Sequence, residues 1–313
     1  QALATEVFEK ETVSRLITEA MKQVQSGKIS LPALTRVLTV VKDTRTEIKE
    51  FDARAVAAEF SQVNFLPTPW PTVNQEVEGG LRAKELGMVM ALAKAGKTRT
   101  LINLGCEALA QGWRVLYITA ADLGYGGIAS RFASCWDDKP STVFRQDPDA
   151  LQKIKDKWEA RGGKLYISDY TNRMCSVADM ERDIDAIRQT ETGKLAILMD
   201  RLEEAVPERK RGESRTEIRD NYKYARMLAV KYVVPLWVDS QASLPSGNDE
   251  GWVDITRGAE ARIGKASVVD LFLGVGRHPE DEEILRLTVA GRREIKKHRH
   301  QVRVHWDTGV MYE

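Results

Sequence analysis

The stretch ALAKAGKTRT, residues 91–100, constrains this chain more than any other. Gly96-Lys97-Thr98 ends the pattern of a glycine, four residues and Gly-Lys-Ser/Thr, in which a loop between a strand and a helix wraps the phosphates of a nucleotide. The first glycine position holds Ala91. Upstream, LGMVMALA is a short apolar run of strand character; downstream, GKTRTLINLGCEAL has the composition and spacing of a helix. Strand, turn and helix in that order aim the backbone N–H groups of the helix start at an anion. The loop then comprises Ala93, Lys94, Ala95, Gly96, Lys97, Thr98 and Arg99. Lys97 reaches the β and γ phosphates of ATP, and the Thr98 hydroxyl ligates Mg²⁺. Gly96 removes a side chain where the backbone must come close, and Ala91 is tolerable if its φ stays negative. A bare Gly-Lys-Thr arises by chance; the flanking elements and a later acidic strand end argue for a nucleotide site.

That strand end is Asp200. LAILMD is a continuous apolar strand closing on a carboxylate, the second signature of such sites, whose task is to hold Mg²⁺.

The pattern around these motifs predicts two regions. Residues 1–64 read as a helical segment: Val13, Leu16, Ile17, Ala20, Met21 and Val24 recur at helical spacing, as do Leu31, Leu34, Val37, Leu38 and Val41, and a third helix is expected over residues 52–60. This set is too small to bury much core alone, so it is expected to pack on something else, including a neighbouring copy. FLPTPWP, residues 65–71, interrupts the helical pattern with three prolines and marks the boundary. From 65 to 313, apolar runs (LGMVMALA, RVLYIT, KLYISDY, KLAILMD, VPLWVDSQ, VVDLFLGV, ILRLTVAG) alternate with helical stretches. That alternation predicts an α/β domain with a mainly parallel, twisted sheet. QVRVHWDTGVMYE reads as strand, turn and short strand.

Composition excludes little else. With 47 Lys and Arg against 46 Asp and Glu, the net charge of +1 offers no global field for nucleic acid, so any such surface is local. Cys106, Cys135 and Cys175 form no CxxC pair and suit buried thiols of a reducing compartment. No apolar run approaches the roughly 20 residues that cross a bilayer, so a cytoplasmic protein is expected. The chain starts at Gln1 rather than a methionine, so a targeting signal can precede it.

LPTPWPTVNQEVEGGLRAKELGMVMALAKAGKT is similar to the stretch that opens the C-terminal ATPase domain of DnaB-type replicative helicases, bacteriophage members above all. The likeness continues through RVLYIT, KLYISDYTNRMCSVADME, LAILMD, residues 215–241 and VRVHWDTGVMYE. The resemblance implies a RecA-like fold, a ring of about six subunits with ATP between neighbours, and movement along single-stranded DNA, with a helicase loader or a primase as further partners. Members often carry alanine at the first loop position. By position, Gln241 takes the sensor role at a strand end, and Arg293 (Arg292 is the alternative) the arginine finger that reaches a neighbour's site. The lysine two places before the finger is Gly291 here.

Two loops are expected at the ring centre. One, RLEEAVPERKRGESR, offers Lys210, Arg211 and Arg215 to DNA phosphates. The other, ASLPSGNDEGWVDITRG, is Gly/Ser-rich but carries Asp249 and Glu250. The chief departure follows VLYIT. The glutamate that readies water in the family is Ala121 here, with Asp122 next; one residue along a strand points the other way, so Asp122 serves only if the strand end is distorted. The sequence therefore supports a helicase or translocase in phage DNA replication. A nucleotide-binding, weakly hydrolysing scaffold or helicase partner is the alternative, and a RecA-like recombinase a further one.

Overall fold

The computed structural model describes residues 50–54, 64–206, 214–242, 251–255, 267–291 and 296–313, without the side chains of 214 and 215. The chain divides into two compact units, Gln1–Ser61 and Gln62–Glu313. Of the first unit only residues 50–54 are described, where the Asp52 carboxylate accepts a hydrogen bond from the Arg54 amide (2.8 Å). The two apolar stripes and most of the third expected helix lie outside the described residues.

In the second unit the proline-rich stretch is part of the fold. Strand β1 (Phe65–Leu66) pairs antiparallel with β2 (Leu81–Arg82), and helix α1 (Pro71–Glu76) lies between them with proline at its first turn. Leu66, Trp70, Val73 and Leu81 are fully buried. Prolines that forbid a long helix here start a short one, because the first helical position needs no N–H donor.

A nine-stranded sheet follows. Its strands are β3 (Leu86–Ala91), β4 (Arg114–Thr119), β5 (Lys164–Asp169), β6 (Leu195–Asp200), β7 (Leu236–Gln241), β8 (Leu271–Arg277), β9 (Ile284–Gly291), β10 (His298–Val304) and β11 (Met311–Tyr312). Spatial order is β11-β10-β9-β8-β3-β7-β6-β4-β5. β8 through β5 pair parallel, whereas β9, β10 and β11 add an antiparallel extension. The helices are α2 (Lys97–Ala110), α3 (Tyr125–Asp137), α4 (Ser141–Gln146), α5 (Pro148–Glu159), α6 (Val177–Thr190) and α7 (Ser214–Tyr232).

Both faces of the parallel part are covered, which is why its strands read as unbroken apolar runs. Along β4, Val115 and Tyr117 enter one core with Leu101, Ile128, Phe132 and Trp158. Leu116 and Ile118 enter the other with Met180, Ile184, Tyr222 and Leu228. The first strand, β3, lies between β7 and β8, so neither neighbour is consecutive with it. Open α/β sheets bind ligands at the carboxyl ends of strands where the order reverses in this way. Among the described residues no helix is long and apolar enough to cross a membrane.

Gly87 permits the tightest contact at the sheet centre. A Cβ there would stand 2.3 Å from Cε3 of Trp237, which is fully buried. Gly87→Val is expected to lower unfolding stability by about 1–3 kcal/mol, the scale of core overpacking, read as a fall in urea midpoint. An unchanged midpoint would mean that β3 and β7 are not packed in this register.

Candidate nucleotide-binding site

β3 ends on Ala91, buried and still paired with β7, and its carbonyl accepts the Ala242 amide at 2.9 Å. Extended backbone at Ala91 answers why an alanine suffices at the first loop position. Beyond it, Lys94 (φ 60°) and Gly96 (φ 111°) take left-handed conformations and turn the chain into α2, whose first residue is Lys97. A Cβ on Gly96 would approach nothing closer than Met311 Cε at 3.6 Å. Conformation, rather than crowding by the protein, requires glycine there.

The helix start delivers Lys97 and Thr98 to the ends of β6 and β7. Thr98 Oγ1 donates to Asp200 Oδ2 at 2.8 Å, and the Tyr117 hydroxyl donates to the same oxygen at 2.9 Å. Burial, followed by the charge of Asp200, pushes the Tyr117 phenol well up, so it remains a donor. Lys97 Nζ lies 3.8 Å from Asp239 Oδ2. Asp239 is 2 % exposed and its Oδ1 accepts the Arg201 amide at 2.5 Å. Its carboxyl is pushed up to about 7 by burial and by Asp200, against the downward pull of Lys97. Two buried acids thus share one lysine at the mouth of a helix N-terminus. The Thr98 hydroxyl and the Asp200 carboxylate are hard oxygen donors side by side, which suits Mg²⁺ held by few protein ligands plus phosphates and water. Among the described residues no group of three or more His, Cys, Asp or Glu is arranged to hold a metal by itself.

Further charges border this centre. β4 stops at Thr119, and residues 121–122 form a bend, so strand alternation no longer decides where Asp122 points. Its carboxylate, 85 % exposed, pairs with the Arg201 guanidinium at 3.1 Å, which also holds Glu204 at 2.7 Å. Gln241 is exposed at the end of β7, in register with Ala91. On the other flank, Arg277 Nη2 donates to the Lys94 carbonyl at 2.7 Å. The guanidiniums of Arg99 and Arg277 lie 4.5 and 4.9 Å from the Trp306 ring centre. Burial, then Arg131 and Arg277, draw the Arg99 pKa down.

The fold therefore gathers Ala93 through Arg99, Asp200, Asp122 and Gln241 at one edge of the sheet. Lys210, Arg211, Arg292 and Arg293 lie outside the described residues. Arg215 falls in the first turn of α7, its side chain outside the description. Sequence reasoning missed Asp239, although a carboxylate inside the apolar run VPLWVDSQ is a signal of buried electrostatics. Arg201, Arg277 and Trp306 carried no local signal; only folding brings them to the loop.

A strand–loop–helix opening on a lysine and threonine, with acids at two adjoining strand ends, defines the chain as a RecA-like α/β fold of the helicase ATPase kind. Two solved structures carry that assignment. One is a DnaB-like replicative helicase described with its interactions with primase: TM-score 0.76, 14% identity, covering 98% of this chain and 76% of that one. The other is the ATPase domain of a phage helicase: TM-score 0.70, 11% identity, covering 85% of this chain and 99% of that one. No protein-family model matches the sequence, and a search of curated proteins found no match.

The raised Asp239 carboxyl has a signed consequence. Between the unfolded carboxylate range, about 4, and about 7, the folded state holds a proton that the unfolded chain has released. Asp239 therefore takes stability away as pH climbs through this window. Asp239→Asn is expected to gain stability relative to the parent between pH 5 and pH 8, measured by urea midpoints. Parallel pH profiles for the two proteins would contradict the assignment.

Proposed function

We propose that this chain is an ATP-dependent, ring-forming DNA helicase or translocase of the DnaB-like kind, acting on single-stranded DNA in phage replication. The observation that carries the reading is the meeting of Lys97, Thr98 and Asp200 at the carboxyl ends of the central strands, in a fold shared with helicase ATPase domains. Lys97 neutralises the β and γ phosphates of ATP, and Thr98 and Asp200 hold Mg²⁺. Arg277 and Trp306 flank the loop where a base can stack. Gln241 reports on the γ phosphate, and Arg293 enters the site of the next subunit. Lys210, Arg211 and Arg215 grip DNA phosphates.

Assembly draws on residues 1–64 of one copy and a groove on another. That groove, about 950 Å³, is lined by Leu123, Phe144, Leu151, Trp158 and Leu165, among others, beside the edge strand β5. It is mostly apolar, matching the apolar stripes of the first 64 residues. A primase or loader is the partner of a ring of this kind.

One observation favours the second reading, a nucleotide-binding scaffold that hydrolyses poorly. Ala121 has no carboxylate, and that of Asp122 is committed to Arg201. Binding of ATP, rather than its turnover, then stabilises the assembly.

Two tests follow. Lys97→Ala is expected to weaken ATP binding at least about 100-fold, the scale of two charge-assisted hydrogen bonds. It also leaves Asp239 without its cation, so stability should fall at pH 8. Adding Asp239→Asn should restore the stability but not the binding, read by calorimetry and melting. ATP affinity equal to the parent's would remove the phosphate-loop assignment.

Hydrolysis is the second. Ala121→Glu is expected to raise steady-state turnover about 10²-fold, typical of a positioned general base, whereas Asp122→Asn should change it little. A fast parent ATPase abolished by Asp122→Asn would make Asp122 the base and discard the scaffold reading.

A further inference from the structure

The antiparallel extension carries a cationic aromatic cluster on the side of the sheet opposite its core contacts. Along β9, Leu285, Leu287 and Val289 enter the core. Arg286 and Thr288 therefore face the other way. Arg286 is only 8 % exposed, yet its Nε and Nη1 have no hydrogen-bond partner, and neither does Oγ1 of the fully buried Thr288. Buried polar groups left unpaired cost stability, so an unmatched guanidinium fork at this place calls for an acceptor from outside.

Neighbouring glycines explain how the cluster is roofed. Gly274 and Gly276 of β8 lie opposite Thr288 and Arg286. A Cβ on them would come within 1.9 Å of the Val253 carbonyl and 1.6 Å of the Gly251 carbonyl. Only bare backbone lets segment 251–255 lie directly on the sheet, and this sets Trp252 against Arg286, whose guanidinium is 5.2 Å from the indole centre. Arg299 of β10, exposed and opposite Thr288, lies 4.9 Å from the same ring. Neither arginine has a carboxylate partner among the described residues. The nearby Asp254 is taken by Lys297 at 2.6 Å.

We infer that Trp252, Arg286 and Arg299 form a contact site for single-stranded nucleic acid, with a phosphodiester on the arginine forks and a base against the indole. The inference rests on the DNA-acting function proposed above. Planar guanidiniums match phosphate oxygens in pairs. An aromatic ring beside them adds stacking that accepts any base. A simple anion would need no ring. Trp252 also follows directly on residues 243–250, the Gly/Ser-rich loop expected at the nucleic acid. Arg299 supplies the outer contact, and Arg286 supplies positive charge that no internal acid cancels.

The test is fluorescence anisotropy of a labelled oligothymidylate on the full chain, across a salt series, for the parent, Arg299→Ala and Trp252→Leu. Circular dichroism confirms that each variant is folded. Arg299→Ala is expected to bind about tenfold more weakly, with a log–log salt slope shallower by roughly 0.7, one phosphate contact on a single strand. Trp252→Leu should also weaken binding about tenfold, without changing the slope. If the parent binds and both variants match it, this site is wrong while the proposed function stands. A parent that binds ATP but no oligonucleotide overturns both. If Arg299→Ala leaves oligonucleotide binding intact but lowers the assembly mass in light scattering, the arginines answer a carboxylate of another copy, and the nucleic-acid assignment falls.

Discussion

Everything at the candidate site depends on one electrostatic arrangement, a single lysine facing two buried carboxylates. Lys97 opens α2, Asp200 closes β6 and Asp239 lies in β7, and these three elements meet only because β7 runs between β3 and β6. Asp239 cannot ionise comfortably beside Asp200, and burial holds its carboxyl near neutrality. Such a cluster, with a helix N-terminus adding partial positive charge, is poised for a further polyanion accompanied by a divalent cation. Mg²⁺ at Thr98 and Asp200 would offset the acids, and phosphates would occupy the lysine. The site is thus least balanced without ligand, which makes the protein's own stability responsive to occupancy.

The phosphate loop is tied to the rest of the sheet from two directions. Its far flank is held by Arg277 through the Lys94 carbonyl, and the Arg277 backbone lies against Gly251, where a Cβ would come within 2.0 Å of its oxygen. Its near flank is paired to β7, so Gln241 leaves the sheet in register with Ala91. Both ends of the intervening stretch 242–251 therefore border the loop or a residue that grips it. This arrangement gives a physical basis for nucleotide and residues 243–250 to act on one another.

Much of this is legible in the sequence, for reasons that residues make plain. RVLYIT and ILRLTVAG are strands over their full quoted lengths, because apolar, β-branched runs buried on both faces leave no competing periodicity. The strand–Gly-Lys-Thr–helix order is plain because each part signals locally. FLPTPWP reads as a boundary, yet it folds into β1, a buried Trp70 and the start of α1; proline content reports where a helix cannot run, not whether the chain is packed. The partners of the site escape for a different reason. Arg277 is 183 residues from Lys94, and the pairing of Arg201 with Asp122 spans 79; nothing near either residue announces such contacts. Asp239 is visible, but its apolar neighbours point to the strand rather than to the charge within it.

The central claim is that Thr98 and Asp200 seat a divalent cation that joins phosphates to Lys97. Isothermal titration of ATP into the full chain, with Mg²⁺ and with EDTA, for the parent and for Asp200→Asn, tests it most directly. The account predicts tight binding by the parent only with Mg²⁺, and a variant whose weak affinity no longer depends on the metal. A parent that binds ATP equally well in EDTA, or a variant that keeps the full Mg²⁺ dependence, would contradict it.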